Sequence, residues 1–271
     1  MPLHLDSIAP DIGPAAENFL RPDLMDSIDD VIYSEDERIL HVAHFILDSA
    51  RFGRVGKLIY TLLRDPDPAE SYGIIDIDLT LCTKQTPKLR FLRKLPQSSD
   101  ANEYYDVENA QGQRLQVETV NRSKIAGELT GTERYVHACA FPFRFDVFDD
   151  IDALNRAFGW NAEDGEVGGL SGTFAAPASL TGVPDEDADE SDVFSILAGT
   201  VRAVRDASMS IVRCRFDFTI AEVETALGVI PVALSERAFD LSELAPGKAV
   251  FMYAYVKADL ALFQDLPKPE L

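Results

Sequence analysis

Apolar positions along this chain change their period, from a helical spacing near the start to a strand spacing over most of the rest. Ile39, Val42 and Ile46 recur at three- and four-residue intervals with Leu40, Ala43 and Leu47 beside them, which is the stripe of an amphipathic helix. Ser34 and Glu37 stand where a capping box would open that helix, and Gly53 where it would stop. Before it, residues 1–33 are rich in Pro and Asp and predict an irregular arm with a short helix around 18–28. After it, an apolar stretch over 55–63 runs into the breaker Asp65-Pro66-Asp67-Pro68.

From residue 74 the period falls to two. Residues 74–81 alternate as a strand, and 88–95 are the natural antiparallel return. Residues 104–108 and 114–120 flank Asn109-Ala110-Gln111-Gly112-Gln113 as the arms of a hairpin. A long strand follows over 135–148, in which His137, Cys139, Phe141, Phe143, Phe145 and Val147 share parity and so predict one apolar face. Asp149 is placed to cap a short helix that turns Ile151, Leu154 and Phe158 inward and ends at Gly159. Residues 161–192 then mix Gly, Pro, Ser and acid, the composition of a linker or long loop.

Beyond that segment, strands are expected over 194–204, 209–220, 229–234 and 249–258, with a short helix before the last and Pro246-Gly247 turning into it. Such short strands can close a small barrel of the OB or SH3-like pattern. No internal repeat is visible. The predicted fold is therefore α+β: an N-terminal helical region on an antiparallel sheet within residues 1–165, an acidic linker over 166–192, and a β-rich, barrel-like module over 193–271. The alternative is one continuous core shared by the two β regions.

Composition narrows the function classes. The 271 residues are 46% apolar and 26% charged, enough to bury a real core. No apolar run approaches the ~20 residues needed to span a bilayer. Residues 1–6 lack the basic and apolar regions of a secretory signal. Cys82, Cys139 and Cys214 lie far apart with no CxxC pair, which argues against a disulfide framework or zinc knuckle and for a reduced, cytoplasmic protein.

Charge is the most informative quantity. The formal net charge is -21, and the first fifty residues hold eleven Asp or Glu against two Arg. The run Asp185, Glu186, Asp187, Asp189, Glu190 and Asp192 adds six acids without a base. This balance repels nucleic-acid phosphates and anionic lipid, so neither is an expected partner, whereas a basic protein is. Residues 194–271 carry eight Lys or Arg against ten acids and lack the basic stripe of an oligonucleotide-binding barrel.

Candidate chemistry is sparse. His41, His44 and Asp48, with Glu37 a turn earlier, would share one face of the predicted helix at spacings suited to a divalent metal. Asp76 and Asp78 share parity on one strand, ~7 Å apart, and such pairs can hold Mg²⁺. The competing role for them is ion pairing with the return strand, where Lys84, Lys88, Arg90, Arg93 and Lys94 fall within eleven residues without an acid. His137 and Cys139 share parity as a thiol nucleophile and its base would, but a Cys in an apolar wall is inert.

Three motifs fail on spacing. Gly53–Lys57 has Arg51 where a phosphate loop needs Gly, and Leu58 where it needs Ser or Thr. Ser171 has Thr173 where a nucleophile elbow needs Gly. The acidic run puts Glu190 and Ile196 where a calcium loop needs Gly and Glu. The sequence therefore points to a non-catalytic binding or adaptor protein, of inhibitor or immunity type, that docks through acidic surfaces with residues 185–192 as the contact. The alternative is a metal-assisted hydrolase or transferase using Asp76 and Asp78 or His41, His44 and Asp48. No cofactor is expected beyond such a divalent cation.

Overall fold

Residues 39–47 fit a helical stripe, yet they also form an almost unbroken apolar run rich in β-branched side chains, and such runs suit a strand equally well. In the computed structural model they are a strand. The structure describes residues 30–33, 39–47, 54–64, 72–98, 102–120, 128–159, 170, 172–177, 193–211 and 214–261. The predicted N-terminal arm and its short helix lie outside these residues, apart from a strand, β1, at Asp30–Tyr33.

Strands β2 (Ile39–Leu47), β3 (Arg54–Arg64) and β4 (Tyr72–Leu81) follow, and β1 to β4 form a four-stranded antiparallel sheet in chain order. The α+β expectation is thus overturned: the protein is mostly β, and the predicted helical layer is itself a sheet. What decides it is pairing. Strand β3 offers β2 a ladder from Leu63 opposite Ile39 to Arg54 opposite Leu47, and helical spacing in one segment cannot reveal that partner.

Nine further strands build a second sheet: β5 (Lys88–Lys94), β6 (Glu103–Glu108), β7 (Arg114–Val120), β8 (Glu133–Phe148), β9 (Phe174–Pro177), β10 (Ser195–Ile211), β11 (Cys214–Thr225), β12 (Gly228–Leu234) and β13 (Ala249–Leu260). One short helix, α1 (Ile151–Ala157), follows β8; its N-cap is Asp150, whose side chain accepts from the Ala153 N–H, rather than Asp149. The helix expected before the last strand is a run of turns over 235–248.

The sheet is organised around one long antiparallel pair. β8 and β13 stay in register from Phe148 opposite Ala249 to Val136 opposite Leu260. On its other edge β13 carries two strands end to end, β10 along Ala249–Ala254 and β7 along Lys257–Asp259. β8 likewise carries β5 along Glu133–Tyr135 and β12 at Ala140. Two five-membered rings result, β5-β6-β7-β13-β8 and β10-β11-β12-β8-β13, which share β8 and β13 as a common wall. The Ser195 hydroxyl ties β10 to β7 where they meet, accepting from the Gln116 N–H at 2.8 Å and donating to its carbonyl at 2.9 Å.

The two rings repeat one pattern. Each half runs a three-stranded meander and then a long strand; the first meander strand pairs with its own long strand and the third pairs, in parallel, with the long strand of the other half. Local detail repeats as well. A register shift falls between Phe91 and Arg93 in one half and between Val201 and Ala203 in the other. Phe91 exchanges backbone bonds with Gly131 and Thr132, as Val201 does with Gly247 and Lys248. Gly131 and Gly247 both have positive φ, 79° and 92°, a conformation that only glycine adopts cheaply. The residue types at matching places differ, which is why no repeat shows in the sequence.

One core runs through both rings. Val250, Met252, Ala254, Val256, Ala258 and Leu260 of β13 face inward along its length and meet Leu89, Phe91, Leu115, Leu197, Val223 and Val232. Small Ala138, Ala140, Ala254 and Ala258 line the shared wall and leave room for Phe91 against Tyr105, edge to face at 5.3 Å. The sheet draws β5–β8 from the first predicted segment and β10–β13 from the second.

Candidate functional site

The outer face of β8 and β13 is where the elements meet, and it has three parts. At one end Ala249, Phe251 and Tyr253, with Phe194, Ile196 and Ala198 of the β10 side, are covered by Leu154 of α1. Lys248 holds the helix entrance through Asp149 at 2.5 Å. That exposed pair sets the Asp149 carboxyl below its usual range, chiefly through the Lys248 hydrogen bond.

At the other end the four-stranded sheet covers the face, and the contact is unusually polar. Lys257, with its side chain fully buried, bonds the Glu118 carboxylate at 2.6 Å. Lys57 of β3 reaches across to Asp259 at 2.6 Å. The Leu81 N–H donates to Cys139 Sγ at 3.3 Å, and Ile59 packs on Val120. A lysine acts as a nucleophile only as an accessible neutral amine, so an ammonium buried against a carboxylate is a structural clasp rather than a reactive group. Cys139 is likewise buried, and its sulfur already accepts a hydrogen bond.

Between the two covers lies an aromatic strip. Phe143 is the exposed large apolar side chain among the described residues, at 38%. Its ring meets Phe194 edge to face at 4.9 Å, Tyr255 at 5.4 Å and Tyr253 at 6.0 Å. The Arg144 guanidinium sits 5.3 Å from the centre of the Tyr253 ring, while its Nε bonds Asp146 at 3.1 Å.

The expected single apolar face of residues 137–147 is therefore split. Tyr253 pairs with Arg144 and Ala254 with Pro142, so Phe143 is the extra residue of a β-bulge that reverses the alternation. Before it, Cys139 and Phe141 lie buried; after it, Phe145 and Val147 turn into the barrel core. Pro142 is the signal for this in the sequence, since a proline within a strand marks a bulge or an edge.

The other predicted residues fall as follows. His41 stands opposite Thr61, and His44 opposite Leu58, on a strand; the helical spacing that grouped them with Asp48 is absent, and Asp48 lies outside the described residues. Asp76 and Asp78 stand opposite Thr61 and Ile59. Register thus sets His41, Thr61 and Asp76 in one row across the small sheet. No group of three or more His, Cys, Asp or Glu able to hold a metal ion occurs among the described residues.

The return strand predicted for Asp76 and Asp78 belongs to the other sheet. Lys88 pairs with Glu133, Arg93 with Asp106 at 2.5 Å and Lys94 with Glu103 at 2.6 Å, so the cations of 88–94 are balanced by acids of β6 and β8. The acidic run at 185–192 lies outside the described residues. Its flanks are fixed: β9 and β10 form a hairpin with Pro177 opposite Ser195, and Phe194 belongs to the aromatic strip. No helix among the described residues is long and apolar enough to cross a membrane. Comparison of the chain with known protein families, with curated proteins and with solved structures finds no match in any of the three.

Proposed function

We propose that this chain is a non-catalytic, cytoplasmic protein-binding module that docks a basic partner through residues 185–192. One observation carries the reading: the six acids of that run end two residues before Phe194, whose ring touches the exposed Phe143. Charge that attracts from a distance is thereby tethered beside an apolar surface that can be buried on contact, the combination of steering and contact area that protein interfaces use. Cys82 and Cys139 are both outside any disulfide, which fits a reducing compartment.

The test is a pull-down with the full chain at low and at high salt, beside a variant with Asp185, Asp187, Asp189 and Asp192 changed to Asn and Glu186 and Glu190 to Gln. A basic protein should be retained at low salt, released at high salt, and lost from the variant, because exposed charge contacts are screened. Retention that ignores both salt and the substitutions removes the proposal.

A metal-assisted hydrolase or transferase is the competing reading, and the row formed by His41, Thr61 and Asp76 favours it over a chance scatter of ligands. Its two chemistry-bearing positions are two strand spacings apart, ~10 Å between backbones. Equimolar divalent cation in the purified chain, lost on His41→Ala or Asp76→Asn, is what this reading requires. A chain that folds and retains no metal rules it out.

A further inference from the structure

Resting on the docking reading above, we infer that the aromatic strip selects arginine, so that the partner presents an arginine-bearing segment rather than any basic surface. The strip already holds one guanidinium. Arg144 lies over Tyr253 while Asp146 takes its Nε–H, so a ring face and a carboxylate engage one arginine together. A few ångströms further along the same face, Phe143 and Tyr255 form a second pair of rings, 5.4 Å apart, and Phe143 is the exposed member.

The carboxylates to complete a second such arrangement come from the chain itself. Asp192 is two residues from Phe194, which limits its backbone to within ~7 Å of that residue's own, and Phe194 is in edge contact with Phe143. Arginine suits this setting better than lysine for a physical reason. Its planar guanidinium stacks on a ring while its edge N–H groups remain open to a carboxylate, and it is more weakly hydrated than an ammonium.

The strip also differs from its neighbours on the same face. The α1 end is closed by Leu154, and the far end is closed by the four-stranded sheet through Lys57 and Asp259. Among the described residues of this face, the bulge between them is where a large apolar ring reaches solvent, since the extra residue there is Phe143. The backbone irregularity that displaced Phe143 from the core therefore built the platform.

The experiment is a titration of the full chain at physiological ionic strength with two short peptides identical except that one carries arginines where the other carries lysines. The arginine peptide should bind roughly 3- to 10-fold more tightly, the scale of one cation–π contact. Phe143→Leu, which keeps apolar bulk and removes the ring, should abolish that preference and leave the lysine peptide unchanged. Equal affinities for the two peptides, or a preference that survives Phe143→Leu, overturns the arginine inference. Should both peptides bind equally and be lost from the six-acid variant, acidic docking stands and arginine selection falls. Binding that is unchanged in the six-acid variant, or absent for both peptides, defeats the docking reading itself.

Discussion

Replacing Lys257 with Met should cost about 3–5 kcal/mol of folding stability, more than any surface charge change in this protein, because it strands a buried carboxylate. Glu118 is 3% exposed at its side chain and its partner Lys257 is fully buried. Neither group has water to fall back on. The ion pair need not be a net gain relative to apolar residues of the same size, since both charges have already lost their hydration. The informative comparison is therefore the double variant: Lys257→Met with Glu118→Leu should recover most of the loss. Lys57→Met should cost less, because Lys57 keeps 23% of its side-chain surface and lies at the rim. Denaturant titration of the three variants checks this ordering. A single Lys257→Met change within about 1 kcal/mol of wild type would show that the seam is wet and the clasp unimportant.

Severing the chain between residues 178 and 192 should leave one folded, non-covalently associated particle. In a chain of two separate domains, cleavage at such a site would release two independent bodies. Here each half donates its long strand to the other half's ring: β7 lies parallel to β13, β12 lies parallel to β8, and β8 and β13 share twelve register pairs. The inward faces of both halves also belong to a single apolar cluster. An engineered protease site followed by gel filtration should show both fragments in one peak, separating only in denaturant. Either fragment expressed alone should lack a cooperative melt, since its ring would be open and its core half-exposed. Separation of the fragments under native conditions would contradict the shared wall.

Elements whose signals are local are legible in the sequence. The β6–β7 hairpin announces itself through Asn109 and Gly112: the Asn109 side chain accepts from the Gln111 and Gln113 N–H groups, and Gly112 has φ 77°. Helix α1 and the turn at Pro246-Gly247 are written just as locally. Strand β2 is not legible, because Ile39, Val42 and Ile46 satisfy a helical stripe and a buried strand alike, and only the ladder to β3 separates the two. The partner of the basic strand escapes for a related reason. Opposite charge says that Lys88, Arg93 and Lys94 need acids, but Asp76, Glu103, Asp106 and Glu133 all qualify, and topology makes the choice.

The candidate site divides in the same way. Residues 185–192 stand out by composition alone, since a run of six acids without a base is visible residue by residue. The aromatic strip that gives them a contact surface does not, because parity places Phe143 with Phe141 and Phe145 in one wall. A one-residue bulge is enough to break that inference, and it depends on how β8 meets β13, more than a hundred residues away.

By itself, then, the order of residues determined where the strands of the barrel begin and turn, where the acid is concentrated, and which catalytic motifs are absent by spacing. Those are properties of neighbours in the chain, set by backbone preference and local charge. Only the tertiary structure decided that the first segments pair as a sheet, that two unlike halves repeat one strand pattern and exchange their long strands, and that Lys257 and Glu118 meet in a buried seam. Each of these rests on contacts between residues far apart in sequence, where the partner is selected by the free energy of closing a shared core and no local pattern records the choice.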